Sequence, residues 1–286
     1  MLRVRPIEED DSSITFGCFE GDRQVGKVGF ITEPTTPDSA WLGDLPPVET
    51  FLFGLELPWE GEWFELGKEL VGGAIRQLGA NAPAVIQANT NLETHQAPWS
   101  RLHLFEALGF DLFQEKHGYL WVDEGESLAA SMETRSLDEI GDDAYRRVFA
   151  GVPAATIDRN DAYYWAAAGP DNWARVMMTF AQPEDRATWL IGYDRGEPVG
   201  MVALSAFDEP DTGTIAYIGV LPEHRGHGHG HRLLTAATAA ARQRGFTRIL
   251  SDVDVLNRPM RTAMVAAGHQ PDRRPWHKWV YRLKLP

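Results

Sequence analysis

The feature that most constrains this chain is a loop in which glycines alternate with histidines. The loop spans residues 221–231, between an apolar segment at 212–221 and an alanine-rich segment at 230–244. The apolar residues before it predict a strand, and the leucines and alanines at helical spacing after it predict a helix. Because glycine has no side chain, several backbone N–H groups can point at one ligand at the positive end of that helix. This arrangement favours a diphosphate.

Two other phosphate-binding loops do not fit these residues. A P-loop needs lysine and then serine or threonine after its last glycine, and the dinucleotide fingerprint needs a glycine at position 231, where His231 stands. The alternating histidines invite a transition-metal reading. We expect no structural or catalytic metal, because the glycines already have a phosphate role and no carboxylate or cysteine completes a ligand set. A flexible surface loop is the other alternative.

Residues 225–230 match R-x-x-G-x-G, the pattern of the GCN5-related N-acetyltransferase (GNAT) family. The second half of the chain resembles this family throughout, since Asn257 and, eleven residues later, Gly268 match a downstream motif in which His269 replaces an aromatic residue. The resemblance implies acetyl-CoA as acyl donor, with its pyrophosphate on the loop amides and its pantetheine arm along the preceding strand. The residues implied in cofactor binding are Ile218, Gly219, Val220, Arg225, Gly226, His227, Gly228, His229, Gly230, His231 and Asn257.

The residues implied in proton transfer depart from the family's pattern. Met264 stands where many relatives carry a tyrosine that protonates the departing thiolate, and Asp252 stands where N-terminal acetyltransferases of ribosomal proteins carry a glutamate base. Asp254 shares one face of the strand with Asp252, and neighbouring like charges raise the pKa of one carboxyl group. We therefore predict Asp252 as the base, acting through a water, with Asp254 beside it. Two solvated or ion-paired aspartates are the alternative.

The missing tyrosine leaves two classes of function open. Candidate replacements for the acid are Tyr217, His277 and Tyr281, and Tyr281 is included in the predicted catalytic set. Because positioning and backbone polarisation of the thioester can supply much of the catalysis, we favour an N-acetyltransferase that acts on a primary amine of a small molecule or peptide. The alternative is a non-catalytic acyl-CoA sensor or interaction protein on the same fold.

The first half repeats this order in a reduced form. Phe53-Gly54-Leu55 corresponds to Ile218-Gly219-Val220, and the segment 74–79 corresponds to 240–245 at nearly the same distance. An internal duplication explains this better than a chance likeness of strand–helix units. With the polar segment Asp123–Met132 as linker, we predict an α/β (α+β) fold of two tandem GNAT-type domains, residues 1–125 and 132–286. Each would be a mixed, mostly antiparallel twisted sheet flanked by helices.

The first of these domains is predicted to be degenerate. Where the glycine loop should follow Pro58, the chain reads Trp59-Glu60-Gly61-Glu62-Trp63, and two carboxylates would repel a pyrophosphate. Strand-like patterns at 12–19 and 26–31 also stand where the family's first two helices would lie. We expect this domain to bind no cofactor and to pack against the active one, where it would form one side of the acceptor site.

The charge and composition exclude several partners. The net charge is −14, and residues 1–127 carry all of it, with 8 basic and 22 acidic side chains, which argues against nucleic-acid binding and hints at a cationic acceptor. General solubility explains the same charge equally well. No apolar run is long enough to span a membrane, and the lone Cys18 excludes an internal disulfide. An acidic beginning without a secretory pattern predicts a cytoplasmic protein, as a monomer or homodimer.

Overall fold

The structure is a computed structural model in which the chain divides into two units. One unit comprises Met1–Glu115 with His277–Pro286, and the other comprises Lys116–Trp276. The residues it describes are 2–31, 49–78, 85–92, 94–125, 132–179, 185–207, 209–272 and 278–284. Within these ranges, no helix combines the length and the hydrophobicity that crossing a bilayer requires.

The first unit is a mixed sheet with two helices. Its strands are β1 (Leu2–Glu9), β2 (Ser13–Glu20), β3 (Arg23–Ile31), β4 (Glu49–Glu56), β5 (Val85–Asn91) and β13 (Lys278–Lys284), and its helices are α1 (Trp63–Leu78) and α2 (Pro98–Ala107). The strands follow the order β1-β2-β3-β4-β5-β13. Neighbours are antiparallel except β4 and β5, which run parallel. The strand-like patterns at 12–19 and 26–31 are confirmed as β2 and β3.

The second unit has the same kind of sheet with more helices. Its strands are β7 (Glu133–Ser136), β8 (Trp189–Asp194), β9 (Glu197–Ala206), β10 (Thr212–Val220), β11 (Arg248–Asp254), the short β12 (Gln270–Pro271) and the last seven residues of β6 (Asp111–Val122). Its helices are α3 (Leu137–Ile140), α4 (Asp142–Gly151), α5 (Arg159–Ala168), α6 (Pro170–Thr179), α7 (His229–Gln243) and α8 (Arg258–Ala266). The order is β7-β8-β9-β10-β11-β6, with β12 beside β6. Only β10 and β11 pair in parallel among these strands.

Each unit takes its last strand from the other half of the sequence. β13 follows α8 along the chain but pairs with β5 in the first unit. Residues 116–122 of β6 follow α2 but pair with β11 in the second unit. The mixed, mostly antiparallel strands flanked by helices confirm the predicted fold class. The predicted domain boundaries, 1–125 and 132–286, divide the chain at one point and so do not include this exchange of strands.

The alanine-rich helix forms as its sequence predicts. Leu233, Leu234, Ala237 and Ala241, which fall on one stripe of α7, are all fully buried against the sheet. Burying a leucine side chain stabilises a fold by about 1.5–3 kcal/mol, so this stripe attaches the helix firmly to the sheet. The helix stops before Gly245, whose φ of 84° suits glycine and few other residues. The buried stripe thereby fixes where α7 begins, at the end of the glycine loop.

Candidate active site

A cleft forms in the second unit where two parallel strands separate. β10 pairs with β11 only over Thr212–Thr214, opposite Arg248–Leu250. Beyond that point β10 stays paired with β9, and β11 stays paired with β6. The strands border a cavity of about 740 Å³ that also reaches the glycine loop, α5 and α8. A cavity of this size can hold much of an extended ligand, since ligand sites typically measure about 300–1,000 Å³.

The glycine loop turns the chain from the end of β10 into α7. Gly226 has φ 82° and Gly228 has φ 78°, left-handed values that residues with a side chain rarely adopt. Gly228 is the N-cap of α7. Because glycine has no side chain to cap the helix, the first helical turn presents its backbone amides next to the cavity. Gly226, Gly228 and Gly230 all line that cavity, as the sequence predicted for a phosphate-binding loop.

Arg225 braces this loop through backbone carbonyls. Its Nη2 atom donates to the oxygens of Val152 and Ala154 at 2.8 Å each, and its Nη1 atom donates to the oxygen of Ala155 at 2.9 Å. Its Nε atom donates to the oxygen of Val220 at 3.1 Å. The guanidinium therefore ties the end of β10 to the segment after α4. A direct contact between Arg225 and the cofactor stays a prediction. The four hydrogen bonds to backbone carbonyls give Arg225 a role in positioning the loop.

One of the loop histidines, His229, lies in surroundings that disfavour its charged form. His229 is buried, and burial together with the nearby Arg232 lowers its pKa below the ordinary value of 6.5. His227 lies on the loop with its Nδ1 atom 3.3 Å from the oxygen of His224. Among the described residues, no group of three or more metal-ligating side chains is placed to hold an ion. His224, His229 and His231 line the cavity, where imidazole nitrogens can form hydrogen bonds with a ligand.

The residues after β11 build a capped helix beside the cleft. The Asn257 side chain accepts a hydrogen bond from the backbone N–H of Met260 at 3.1 Å, so Asn257 is the N-cap of α8. Met264 is almost fully buried, and its sulfur lies 3.7 Å from the hydroxyl oxygen of Ser251. A thioether carries no dissociable proton, so Met264 cannot replace the tyrosine acid. Asn257 and Met264 both line the cavity.

The two aspartates of β11 each have a partner of their own. The Nζ atom of Lys116, from β6, lies 2.7 Å from Oδ1 of Asp252. Asp254 is buried, and its Oδ1 accepts a hydrogen bond from the backbone N–H of Leu256 at 2.8 Å. Both carboxylates line the cavity as predicted, yet one has a counter-ion and the other shapes the turn after β11. The expected activation of Asp252 by its like-charged neighbour stays a prediction.

Tyr281, the third predicted catalytic residue, belongs to the first unit. It lies in β13, where its backbone is opposite Ala88 of β5. Its side chain and His277 fall outside the described residues. A role for either as the acid stays a prediction.

Sequence reasoning missed the carboxyl group with the most unusual environment. Asp161, the third residue of α5, lines the cavity, and its Oδ2 accepts a hydrogen bond from the Tyr217 hydroxyl at 2.7 Å. Burial, reinforced by the nearby Asp158 carboxylate, raises the pKa of Asp161 to about 7. The pKa of Tyr217 is raised well above its ordinary value, first by burial and then by Asp161. An aspartate in the first turn of a helix is an ordinary sequence feature, so no local signal marked Asp161.

In the first unit, the Arg101 side chain occupies the region beyond the paired part of β4 and β5. β4 pairs with β5 over Glu49–Leu52. Beyond that ladder, Nη2 of Arg101 donates to the oxygen of Leu55 at 2.6 Å, and its Nε donates to the oxygen of Gln96 at 2.9 Å. The guanidinium also lies 4.7 Å from the ring centre of Trp59. These contacts occupy a carbonyl of the strand that would carry a pantetheine arm. The loss of cofactor binding in this unit stays a prediction.

Comparisons with known proteins agree with this geometry. Residues 153–264, which contain α5, the cleft strands and the glycine loop, match the model of the acetyltransferase (GNAT) family. No curated protein matches the chain. Because the family match covers most of the segment that forms the cavity, the match and the geometry of the second unit concern the same residues.

Solved structures resemble the whole chain. A GCN5-related N-acetyltransferase from Sphaerobacter thermophilus has a TM-score of 0.61 at 18% identity, over 97% of this chain and 82% of its own. A tandem GNAT protein from the clavulanic acid biosynthesis pathway has a TM-score of 0.53 at 15% identity, over 96% and 83%. An acetyltransferase of the GNAT family from Colwellia psychrerythraea has a TM-score of 0.54 at 14% identity, over 98% of both chains. At these identities the likeness concerns the fold.

Proposed function

Because its matched residues 153–264 and its tandem fold make this chain a member of the GNAT superfamily, we propose that it transfers an acetyl group from acetyl-CoA to a primary amine of a small molecule or peptide. The observation that carries the proposal is the cleft between β10 and β11, which ends at the glycine loop and the first turn of α7. An extended donor can form hydrogen bonds with strand backbone that pairs with no other strand on that side, and its pyrophosphate can bind to amides at the start of a helix.

The residues around the cleft fit this donor. Gly230 has room at the position of a Cβ atom, where the nearest atoms belong to Ala263, Met260 and Val220 at 3.8–4.0 Å. Backbone amides of the loop and of α7 would hold the pyrophosphate, and the β10 backbone at 218–220 would lie along the pantetheine arm. When bound, the thioester supplies an activated acetyl group. The chain's own task is to hold the two substrates together and to remove a proton from the amine.

The acidic end of the cavity suits a cationic acceptor. Asp158, Asp161 and Asp252 line it, with Lys116 as the nearby basic side chain. An acceptor with a second ammonium group would gain from this excess of carboxylates. This local charge supports a cationic acceptor more directly than the acidity of residues 1–127 does, because these carboxylates border the proposed site.

The assay for this function is release of coenzyme A thiol from acetyl-CoA, measured with a thiol-reactive chromophore against a panel of amines. The only cysteine, Cys18, is buried, so the protein itself contributes little signal. We expect thiol release that depends on an acceptor, with a diamine or polyamine faster than a neutral primary amine. Binding of coenzyme A by calorimetry without any turnover would favour the sensor function, which the loss of the tyrosine acid at Met264 supports. An absence of binding would refute both functions.

A further inference from the structure

We propose that Asp161, held by Tyr217, is the general base that takes the proton from the acceptor amine, in place of Asp252. This inference rests on the proposed function, because it assigns a residue to that reaction. It depends on where α5 places a carboxylate relative to β10, and on how that environment differs from the one around Asp252.

The contacts of α5 hold the Asp161 side chain at the cavity wall. Asp158 caps the helix by accepting hydrogen bonds from the backbone N–H groups of Asn160 at 2.9 Å and Asp161 at 3.1 Å. The Tyr217 hydroxyl then donates to Oδ2 of Asp161 at 2.7 Å. The Tyr217 ring is itself packed between Phe149 and Trp173. The backbone of Asp161 and one oxygen of its carboxyl group are therefore each held by a hydrogen bond, which helps a base to meet the amine in one geometry.

The charges around Asp161 favour a base that works near neutral pH. Burial and the Asp158 carboxylate raise its pKa to about 7, while the Tyr217 hydrogen bond and Lys116 act in the opposite direction. The charged and titratable groups that face the pair from the surrounding elements are Asp158 before α5, Lys116 on β6, Tyr217 on β10, Asp252 beside Lys116 on β11, and Arg225 in the loop. A base is most effective when its pKa is close to the working pH.

Asp252 has the opposite environment. Its Oδ1 lies 2.7 Å from the Lys116 ammonium group. This ion pair already engages one oxygen of the Asp252 carboxylate. The role left for Asp252 is to hold Lys116, which moderates the negative charge around Asp158 and Asp161.

The acceptor enters as an ammonium ion and gives one proton to the Asp161 carboxylate. The neutral nitrogen attacks the thioester carbonyl carbon and forms the C–N bond, and the C–S bond breaks with its electron pair on sulfur. The second proton of the nitrogen neutralises the thiolate, which yields the amide and coenzyme A. Asp161 then releases its proton to solvent, so each turnover liberates one proton.

The test compares Asp161→Asn, Asp252→Asn and Tyr217→Phe, with Asp171→Asn as the matched control. Asp171 is an exposed first-turn aspartate of α6, the helix next to α5. For the best amine of the panel at pH 8, we expect Asp161→Asn to lower kcat by about 100-fold or more, the usual contribution of a general base. Asp252→Asn should lower it by less than about 10-fold, and Asp171→Asn should leave it unchanged. Coenzyme A affinity should stay within about two-fold in Asp161→Asn, since the base does not hold the donor.

Two further readouts separate a base from a structural residue. The wild-type rate should rise with pH through about 7, and Tyr217→Phe should move this limb to higher pH because it removes a hydrogen bond that favours the ionised carboxyl. An aryl amine, which is already neutral at pH 7, should lose much less rate in Asp161→Asn than an alkyl amine does. Equal losses for both amines would overturn the assignment, as would a larger loss in Asp252→Asn.

A titration independent of turnover keeps the inference testable if no amine in the panel reacts. Carbon-13 labelling of the aspartate carboxyls should show one resonance that titrates near pH 7 in the wild-type protein and disappears in Asp161→Asn. If no aspartate titrates above about pH 6, Asp161 is not the base. Failure of the proposed function would instead show as wild-type protein that does not bind coenzyme A, so the two failures are distinguishable.

Discussion

At the scale of single residues, four aspartates around one cavity have four different environments. Asp158 caps a helix, Asp161 accepts from a tyrosine, Asp252 pairs with a lysine and Asp254 orders a turn. The same side chain is therefore a structural acceptor, a candidate base or an ion-pair partner according to what packs beside it. The spacing of Asp252 and Asp254 predicted that two carboxylates share one face of a strand, and both line the cavity, but the spacing could not show which groups pack beside them.

His269 provides a stability test at the same scale. It is fully buried, neither ring nitrogen has a hydrogen-bond partner among the described residues, and burial lowers its pKa from 6.5 to about 4. The unfolded chain binds a proton there below about pH 6.5 and the folded chain does not, so this group removes stability as the pH falls from about 6.5 toward 4.

We expect His269→Phe to abolish that part of the pH dependence and to stabilise the fold by up to about 3 kcal/mol at pH 4–5 relative to its effect at pH 8. Urea unfolding of both proteins across pH 4–8 measures this difference. Parallel curves for the two proteins would show that the ring is protonated in the folded state or solvated there.

At the scale of elements, the glycine loop and α7 act together. Gly228 needs its left-handed φ of 78°, whereas Gly230 is part of the helix and has room for a methyl group. A substitution at Gly228 therefore tests the backbone geometry of the turn, whereas a substitution at Gly230 tests access to the amides of the first helical turn.

We expect Gly230→Ala to keep the fold or stabilise it by about 0.5–1 kcal/mol, because alanine favours a helix more than glycine does. It should still weaken coenzyme A binding by about 10-fold or more, since the methyl group stands beside the proposed phosphate site. Gly228→Ala should instead destabilise the turn by about 1 kcal/mol or more. Calorimetry with coenzyme A and thermal unfolding measure the two effects, and undiminished binding by Gly230→Ala would contradict the phosphate role of this turn.

At the scale of the whole molecule, the exchange of β6 and β13 makes each unit depend on both halves of the chain. β13 completes the first unit by pairing with β5 over Lys278–Lys284. A chain ending at Trp276 would leave one edge of β5 without that ladder. We expect its β5 amides to exchange hydrogen faster by at least about 10-fold, while α7 amides in the second unit stay protected. Hydrogen exchange followed by mass spectrometry checks this, and unchanged protection of β5 would show that the ladder adds nothing to its stability.

The sequence alone determined the features that depend on residues close together in the chain. The strand before the glycine loop, the buried stripe of α7 and the asparagine cap of α8 all follow from periodicity, backbone preference and hydrogen bonds between residues a few positions apart. The resemblance to an acetyltransferase rested on two short motifs, residues 225–230 and the pair Asn257 and Gly268.

Only the tertiary structure decided which groups meet. Tyr217 reaches Asp161 across 56 positions of sequence, and Lys116 reaches Asp252 across 136. The same holds for the exchanged strands, because β13 and β6 pair with strands far away in the chain. The physical reason is that a pKa and a strand pairing depend on the neighbours in space, whose identity no local pattern of residues encodes.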